Sequence, residues 1–193
     1  MAVMMSLSSN RPCSNTADRG FTLLELMVTV SIAAILTVMA LPAFHAFVLN
    51  DRDIAQINSL VASFNYARSE AVKQNLSTGI MVCPSGDGSS CNGTTAWSGG
   101  WIVWNTNAAV PKGQMVLQAV PALAGRNTLT ATGAAAAGIT FQSTGMVDGP
   151  LTIVVCDPRG AAYALDVEVN ATGRVAASQT PGRSVSGLVL KCS

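Results

Sequence analysis

Glu25 is the single charged residue in the run Phe21–Leu41, which reads FTLLELMVTVSIAAILTVMAL. A carboxylate near the end of an apolar helix carries an insertion penalty, smaller at the margin of a bilayer than at its centre. A plain anchor has no need of it, so Glu25 implies a partner. Cleavage between Gly20 and Phe21 would create one, a new α-ammonium group four residues before the carboxylate. In an assembly, Glu25 of one subunit would pair with the amine of Phe21 in a neighbour.

Cysteine is the second chemistry-bearing type. Cys13 precedes the apolar run, while Cys83, Cys91, Cys156 and Cys192 follow it. An even number after the run suits two disulfides in an oxidising compartment. Metal binding competes with that reading, but zinc-type C-x-x-C pairs are missing and the one histidine, His45, is far away in sequence. A Cys83–Cys91 bridge would close a short polar loop. Cys156 and Cys192 end two expected strands and form the natural second pair, although four cysteines allow three connectivities.

Enzyme chemistry finds little to work with. No histidine follows His45, which removes the usual Ser-His and Cys-His bases. Asp157, Asp166 and Glu168 can be imagined as a carboxylate group, but a polar strand edge explains Asp166 and Glu168 as well. Gly86-Asp87-Gly88 reads as a turn, not as a phosphate loop. A membrane-anchored periplasmic enzyme is therefore the remote alternative, and no cofactor or metal site is implied.

The elements that must position these residues begin with the apolar run itself. As a helix rising about 1.5 Å per residue it covers roughly 30 Å, enough for a bilayer core. Arg11 and Arg19 precede it, and Asp51, Arg52 and Asp53 follow. The positive-inside bias places the N-terminus in the cytoplasm and exports the rest. An ordinary signal peptide cut before Leu41 competes, but the run is longer than a usual h-region and carries a carboxylate. Pro42 predicts a bend in a helix that continues. Beyond it, Ile54, Ile57, Val61 and Phe64 recur at helical steps, with Asp53, Gln56, Asn58, Ser63, Arg68 and Lys73 between them. One amphipathic face is thus expected to be buried, with the helix ending near 75–79.

After Gly79 short β-rich pieces alternate with Gly, Pro, Asn and Ser clusters. Strands are expected at 79–83, 101–105, 115–120, 139–142, 151–156, 162–169, 174–177 and 187–192. Residues 131–138 read as a small-residue linker. Trp97, Trp101 and Trp104 are expected to pack in the core and at sheet edges; a base-stacking platform would want interleaved Lys or Arg.

Composition agrees with one compact domain plus a helical extension in 193 residues. Charged residues make up 11%, and removing residues 1–20 leaves nine basic and nine acidic side chains (11 − 2 and 10 − 1). A neutral mature chain argues against a broad nucleic-acid face, so any such site must be local.

Arg19-Gly20-Phe21-Thr22-Leu23-Leu24-Glu25-Leu26 resembles the prepilin peptidase signature of type IV pilins and type II secretion pseudopilins. The resemblance implies Gly20 as the cleavage-site residue, Phe21 as the N-methylated terminus and Glu25 as the assembly carboxylate. Twenty residues is long for such a leader, and Met4 and Met5 offer later starts. The remainder resembles the GspH/FimT group. The similar pieces are Ala67-Arg68-Ser69-Glu70-Ala71, Cys83-Pro84 with the loop to Cys91, and Trp97-Ser98-Gly99-Gly100-Trp101. Phe141-Gln142-Ser143-Thr144-Gly145, Cys156-Asp157 and Gly173-Arg174-Val175 complete the series.

That resemblance implies a pilin-like α+β fold, a long N-terminal helix packed on antiparallel β-sheets and stapled by disulfides. The expected organisation is a leader over 1–20, a transmembrane assembly helix over 21–49 and a periplasmic domain over 50–193. Implied partners are prepilin peptidase, inner-membrane lipid and other pilins or pseudopilins. The paired cysteines favour the FimT-like branch, which serves type IV pili and in which some members bind DNA for uptake. The alternative is a GspH-like pseudopilin in type II protein secretion. FimT-like DNA binders carry a Gly-Arg-x-Arg motif, and here Gly173-Arg174-Val175-Ala176 lacks its second arginine. The segment 170–193 still contains Arg174, Arg183 and Lys191 with no acidic side chain. Ordinary solvated charge is the first reading of these three; contact with a few phosphates is the second.

Overall fold

The computed structural model describes residues 20–75 and 78–192. The expectations that fall on residues 1–19, including Cys13 and most of the leader, lie outside the described residues. The chain divides into two compact units, Met1–Phe44 and His45–Ser193.

One helix, α1 (Leu23–Gln74), supplies the described helical part of the first unit and continues into the second. Thr22 caps it: the Glu25 N–H donates to Thr22 Oγ1 at 3.2 Å, so Thr22 and Glu25 occupy the Ser/Thr and Glu positions of a capping box. The helix runs through Pro42 without interruption; a proline there removes one backbone donor. The first unit keeps its apolar side chains in the open, with Phe21, Leu24, Ile35 and Leu36 all exposed.

In the second unit the helix buries Ile57, Leu60, Phe64, Ala67 and Ala71, spaced at three and four residues. Towards the C-terminal end of the helix, the small side chains of Ala67 and Ala71 join the core cluster. Phe64 meets Trp97 edge-on with ring centroids 6.0 Å apart, and Phe141 at 6.4 Å. Three of the polar residues expected to face solvent turn inward instead: Asp53, Gln56 and Ser63 are buried. Each has a hydrogen-bond partner that makes burial tolerable. Ser63 accepts the indole N–H of Trp101 at 3.0 Å.

Two four-stranded antiparallel sheets complete the core. The first has the order β3 (Val116–Pro121), β2 (Gly100–Asn105), β1 (Ile80–Pro84), β5 (Ile139–Phe141). The second has the order β4 (Thr128–Gly133), β6 (Leu151–Cys156), β7 (Leu165–Val169), β8 (Val175–Ala177). Val82, Trp101, Val103 and Phe141 from the first sheet join Leu129, Ile153, Val155 and Val167 from the second in one buried cluster with the helix. Trp97 and Trp101 are fully buried, so neither offers a face for stacking bases.

Three expectations about strands are corrected. Residues 131–133 belong to β4, an edge strand paired with β6 in the register Ala131↔Ile153. Its Leu129 and Ala131 are buried in the core, so the first three residues of the expected linker are strand, while residues 134–138 form the turn that follows it. Residues 187–192 form no strand; one isolated bridge, Arg183↔Val189, folds that segment back on itself. The long expected strand 162–169 begins only at Leu165, because residues 161–163 turn.

Disulfides join Cys83 to Cys91 and Cys156 to Cys192. Inside the first loop, Asp87 accepts hydrogen bonds from Ser85, Ser89 and Ser90. These donors, the Ser89 side chain foremost, hold its carboxyl well below the usual range.

Candidate functional site

At the N-terminal end, the polar groups of the apolar run sort themselves by partner. Thr29 donates to the Leu26 carbonyl at 2.9 Å, Ser31 to Met27 at 2.7 Å and Thr37 to Ala33 and Ala34. A hydroxyl that bonds back to its own helix adds little cost in an apolar phase. The Glu25 carboxylate has no side-chain donor among the described residues, and it sits in the first turn of α1, where the helix dipole favours negative charge. Phe21 and Gly20, immediately before the cap, are exposed. The T-x-x-E spacing was the sequence signal for this cap, and it went unread there.

At the other end of the chain, Arg174 lies in the turn between β7 and β8. Asn170 shapes that turn: its Oδ1 accepts the N–H groups of Thr172 and Arg174. Gly173 has φ +74°, and a Cβ on it would stand 2.0 Å from the Gly145 carbonyl oxygen. Arg68 reaches the same place from the helix, donating its Nε–H to the Gly145 carbonyl at 3.2 Å. Three sequence pieces that are remote along the chain, around Arg68, Gly145 and Gly173, thus meet and fix the turn that presents Arg174.

Arg183 lies past the other end of β8, where it donates to the Gly187 carbonyl at 3.2 Å. Lys191 is next to the Cys156–Cys192 disulfide. All three basic residues are exposed, and among the described residues none enters an ion pair. The fold brings Arg183 and Lys191 onto one C-terminal loop and leaves Arg174 at the far end of β8. They lie on two loops at opposite ends of β8. His45 is exposed, and no trio of His, Cys, Asp or Glu among the described residues is placed to hold a metal.

Two buried carboxylate sites were missed. Asp53 Oδ1 accepts from Asn127 Nδ2 at 2.6 Å, and its Oδ2 accepts from Arg159 at 3.3 Å. Arg159 also pairs through Nε with Asp157 and lies 4.2 Å over the Tyr163 ring. Burial, then the charge of Asp157, pushes the Asp53 carboxyl up to about 6. The sequence signal was weak: an aspartate among helix polar residues looks solvent-facing until its partners from other elements are known. Asp166 is likewise fully buried, not at a polar edge. Its Oδ1 accepts the Val185 N–H at 3.2 Å, while Oδ2 has no partner. Burial raises its carboxyl to about 6, with the Glu168 charge acting in the same direction.

The comparisons with known proteins fit this geometry. The Type II transport protein GspH family matches residues 56–173, and the Prokaryotic N-terminal methylation motif matches residues 15–41. No curated protein sequence matches the chain. A crystal structure of the type IV minor pilin FimU from Pseudomonas aeruginosa, in space group P21, superposes with a TM-score of 0.51 at 22% identity. That match covers 69% of this chain and 98% of the other. A second crystal form of FimU gives a TM-score of 0.48 at 20% identity, over 64% and 90% of the two chains. The P21 structure shows the pilin fold. With an apolar N-terminal helix behind a methylation motif, and a family match over more than half its length, the chain belongs to the GspH family, whose members are minor pilins and pseudopilins of type IV pilus and type II secretion systems.

Proposed function

We propose that this chain is a minor subunit that is cut after Gly20, N-methylated on Phe21 and assembled through α1 into a type IV pilus. One observation carries the reading. In an apolar helix whose Thr29, Ser31 and Thr37 hydroxyls are satisfied internally, Glu25 is, among the described residues, the side chain left to an outside partner. The α-amine of Phe21 in a neighbouring subunit supplies the matching charge at the same depth. Before assembly the helix spans the inner membrane with its N-terminus in the cytoplasm and its domain in the periplasm. The work of such a subunit is structural, carried by helix and surface contacts, not by catalysis.

Glu25→Ala tests this. The variant is expected in the membrane fraction at wild-type level, with its share in sheared filaments reduced at least about tenfold, as loss of a charge pair in an apolar setting requires. Equal incorporation of the variant contradicts the assembly role.

A second reading gives Arg174, Arg183 and Lys191 a role in contacting DNA for uptake. It is supported by their exposure and by their lack of acidic partners among the described residues. Three phosphate contacts give a shallow salt slope of about −2 to −3 in log K against log salt. Full chain in detergent that binds duplex or single strands with that slope, and loses binding in an Arg174→Ala, Arg183→Ala double variant, supports it. No binding at low salt leaves a purely structural subunit, as readily a type II secretion pseudopilin as a pilus component.

A further inference from the structure

The second unit contains a groove of about 620 Å³ between the helix and the C-terminal strands of the second sheet. Ile54 and Ile57 on one side and Leu165, Ala177 and Pro181 on the other make most of it apolar. Asp53 also lines it, and among the described residues no lysine or arginine does.

The charge around Asp53 does not balance. Asp53 and Asp157 are two buried carboxylates facing one guanidinium, that of Arg159. Arg159 is committed, held by Asp157 and laid over the Tyr163 ring. Acceptors are in surplus as well: Asn127 spends its amide N–H groups on Asp53 and Gln56, and its buried Oδ1 has no donor. The rise of the Asp53 carboxyl to about 6, caused by burial and by Asp157, leaves it mainly ionised at neutral pH. An apolar trough whose wall carboxylate shares its one guanidinium with a second carboxylate suits a side chain with an aliphatic stem and a cationic head. Such a head replaces the hydration that the buried charge has lost.

We propose that this groove receives a lysine or arginine side chain from a neighbouring subunit that is a different pilin-family chain. The proposal rests on the reading of the chain as an assembled subunit. Asn58 and Ile54 are exposed at the groove, which makes both suitable for probes that leave the core alone.

The test places a photo-crosslinking p-benzoylphenylalanine at Asn58 in cells that assemble the filament, with the same probe at Leu36 in α1 as the control for incorporation. The expected product joins position 58 to another pilin-family subunit, at a peptide carrying Lys or Arg beside the adduct. Ile54→Lys, which sets a competing cation in the groove, is expected to lower that product at least about fivefold, whereas Ile54→Met leaves it within about twofold. Several results overturn the proposal: products at Leu36 but none at position 58, an adduct to lipid or to a second copy of this chain, a peptide without a basic residue, or indifference to Ile54→Lys. Loss of products at both positions shows instead that the chain is not assembled, and then the groove proposal falls together with the function on which it rests.

Discussion

Arg68 donates its Nε–H to the main-chain carbonyl of Gly145 at 3.2 Å, and the α-carbon of Gly173 packs against that same carbonyl. A helix, the turn after β5 and the turn before β8 are thereby locked at one point. Gly173→Ala puts a methyl group where the Gly145 oxygen stands and forces a side chain into φ +74°. The expected cost is about 2–4 kcal/mol, from the strain and the displaced turn together, read as a fall in the urea midpoint. Wild-type stability in this variant would contradict the described packing.

Trp101 is fully buried, and Ser63 is its indole partner. Ser63→Ala leaves the N–H without an acceptor and should cost about 1–3 kcal/mol in chemical denaturation. Phe at position 101 in the Ser63→Ala background removes the orphaned donor, so a double-mutant cycle over the two sites should show coupling of about 1 kcal/mol.

The two disulfides close loops of different length, with separations of 8 and 36 residues. Loop-closure entropy assigns about 2.5 kcal/mol to Cys83–Cys91 and about 4 kcal/mol to Cys156–Cys192. Replacing each pair by serine or alanine should rank the losses in that order. The second replacement should also release the segment that holds Lys191, seen as faster amide exchange after Ser178.

Asp166 gives stability an unusual pH dependence. Burial raises its carboxyl from the ordinary 3.8 to about 6, so the folded chain holds this proton more tightly than the unfolded chain. The contribution is full below the unfolded value and is lost as pH rises through the folded one. Asp166→Asn, whose amide can donate where Oδ2 has no partner, should therefore gain on the order of 1–2 kcal/mol near pH 7.5 and nothing near pH 4. Urea unfolding at the two values checks the sign.

Much of this molecule was legible because two patterns are strong on their own. An uninterrupted apolar run with one carboxylate at its start is hard to read as anything but an apolar helix with a partnered end. The helical steps placed Ile57 and Phe64 correctly on the buried face, but Ile54 is exposed and Val61 half-buried, because the stripe turns towards Leu60 and Ala67 instead. The strand at 151–156 was found at its true limits, since Leu151, Ile153 and Val155 alternate inward. The strand at Thr128–Gly133 escaped because Thr and Ala carry little apolar weight, and only its pairing with β6 identifies it. Asp53 and Asp166 escaped for a related reason: a buried charge is specified by its partners, and Arg159, Asn127 and Val185 are far from them in sequence. The basic residues were legible as types, but their spread along β8 depends on a turn fixed by Gly145 and Arg68.

The central claim is that Phe21 becomes a free, modified N-terminus that Glu25 pairs with in a neighbour. Intact-mass and N-terminal analysis of the chain recovered from an envelope with active prepilin peptidase tests it most directly. The predicted product begins with N-methylated Phe21; a chain in which the Gly20–Phe21 peptide bond is intact would contradict the account.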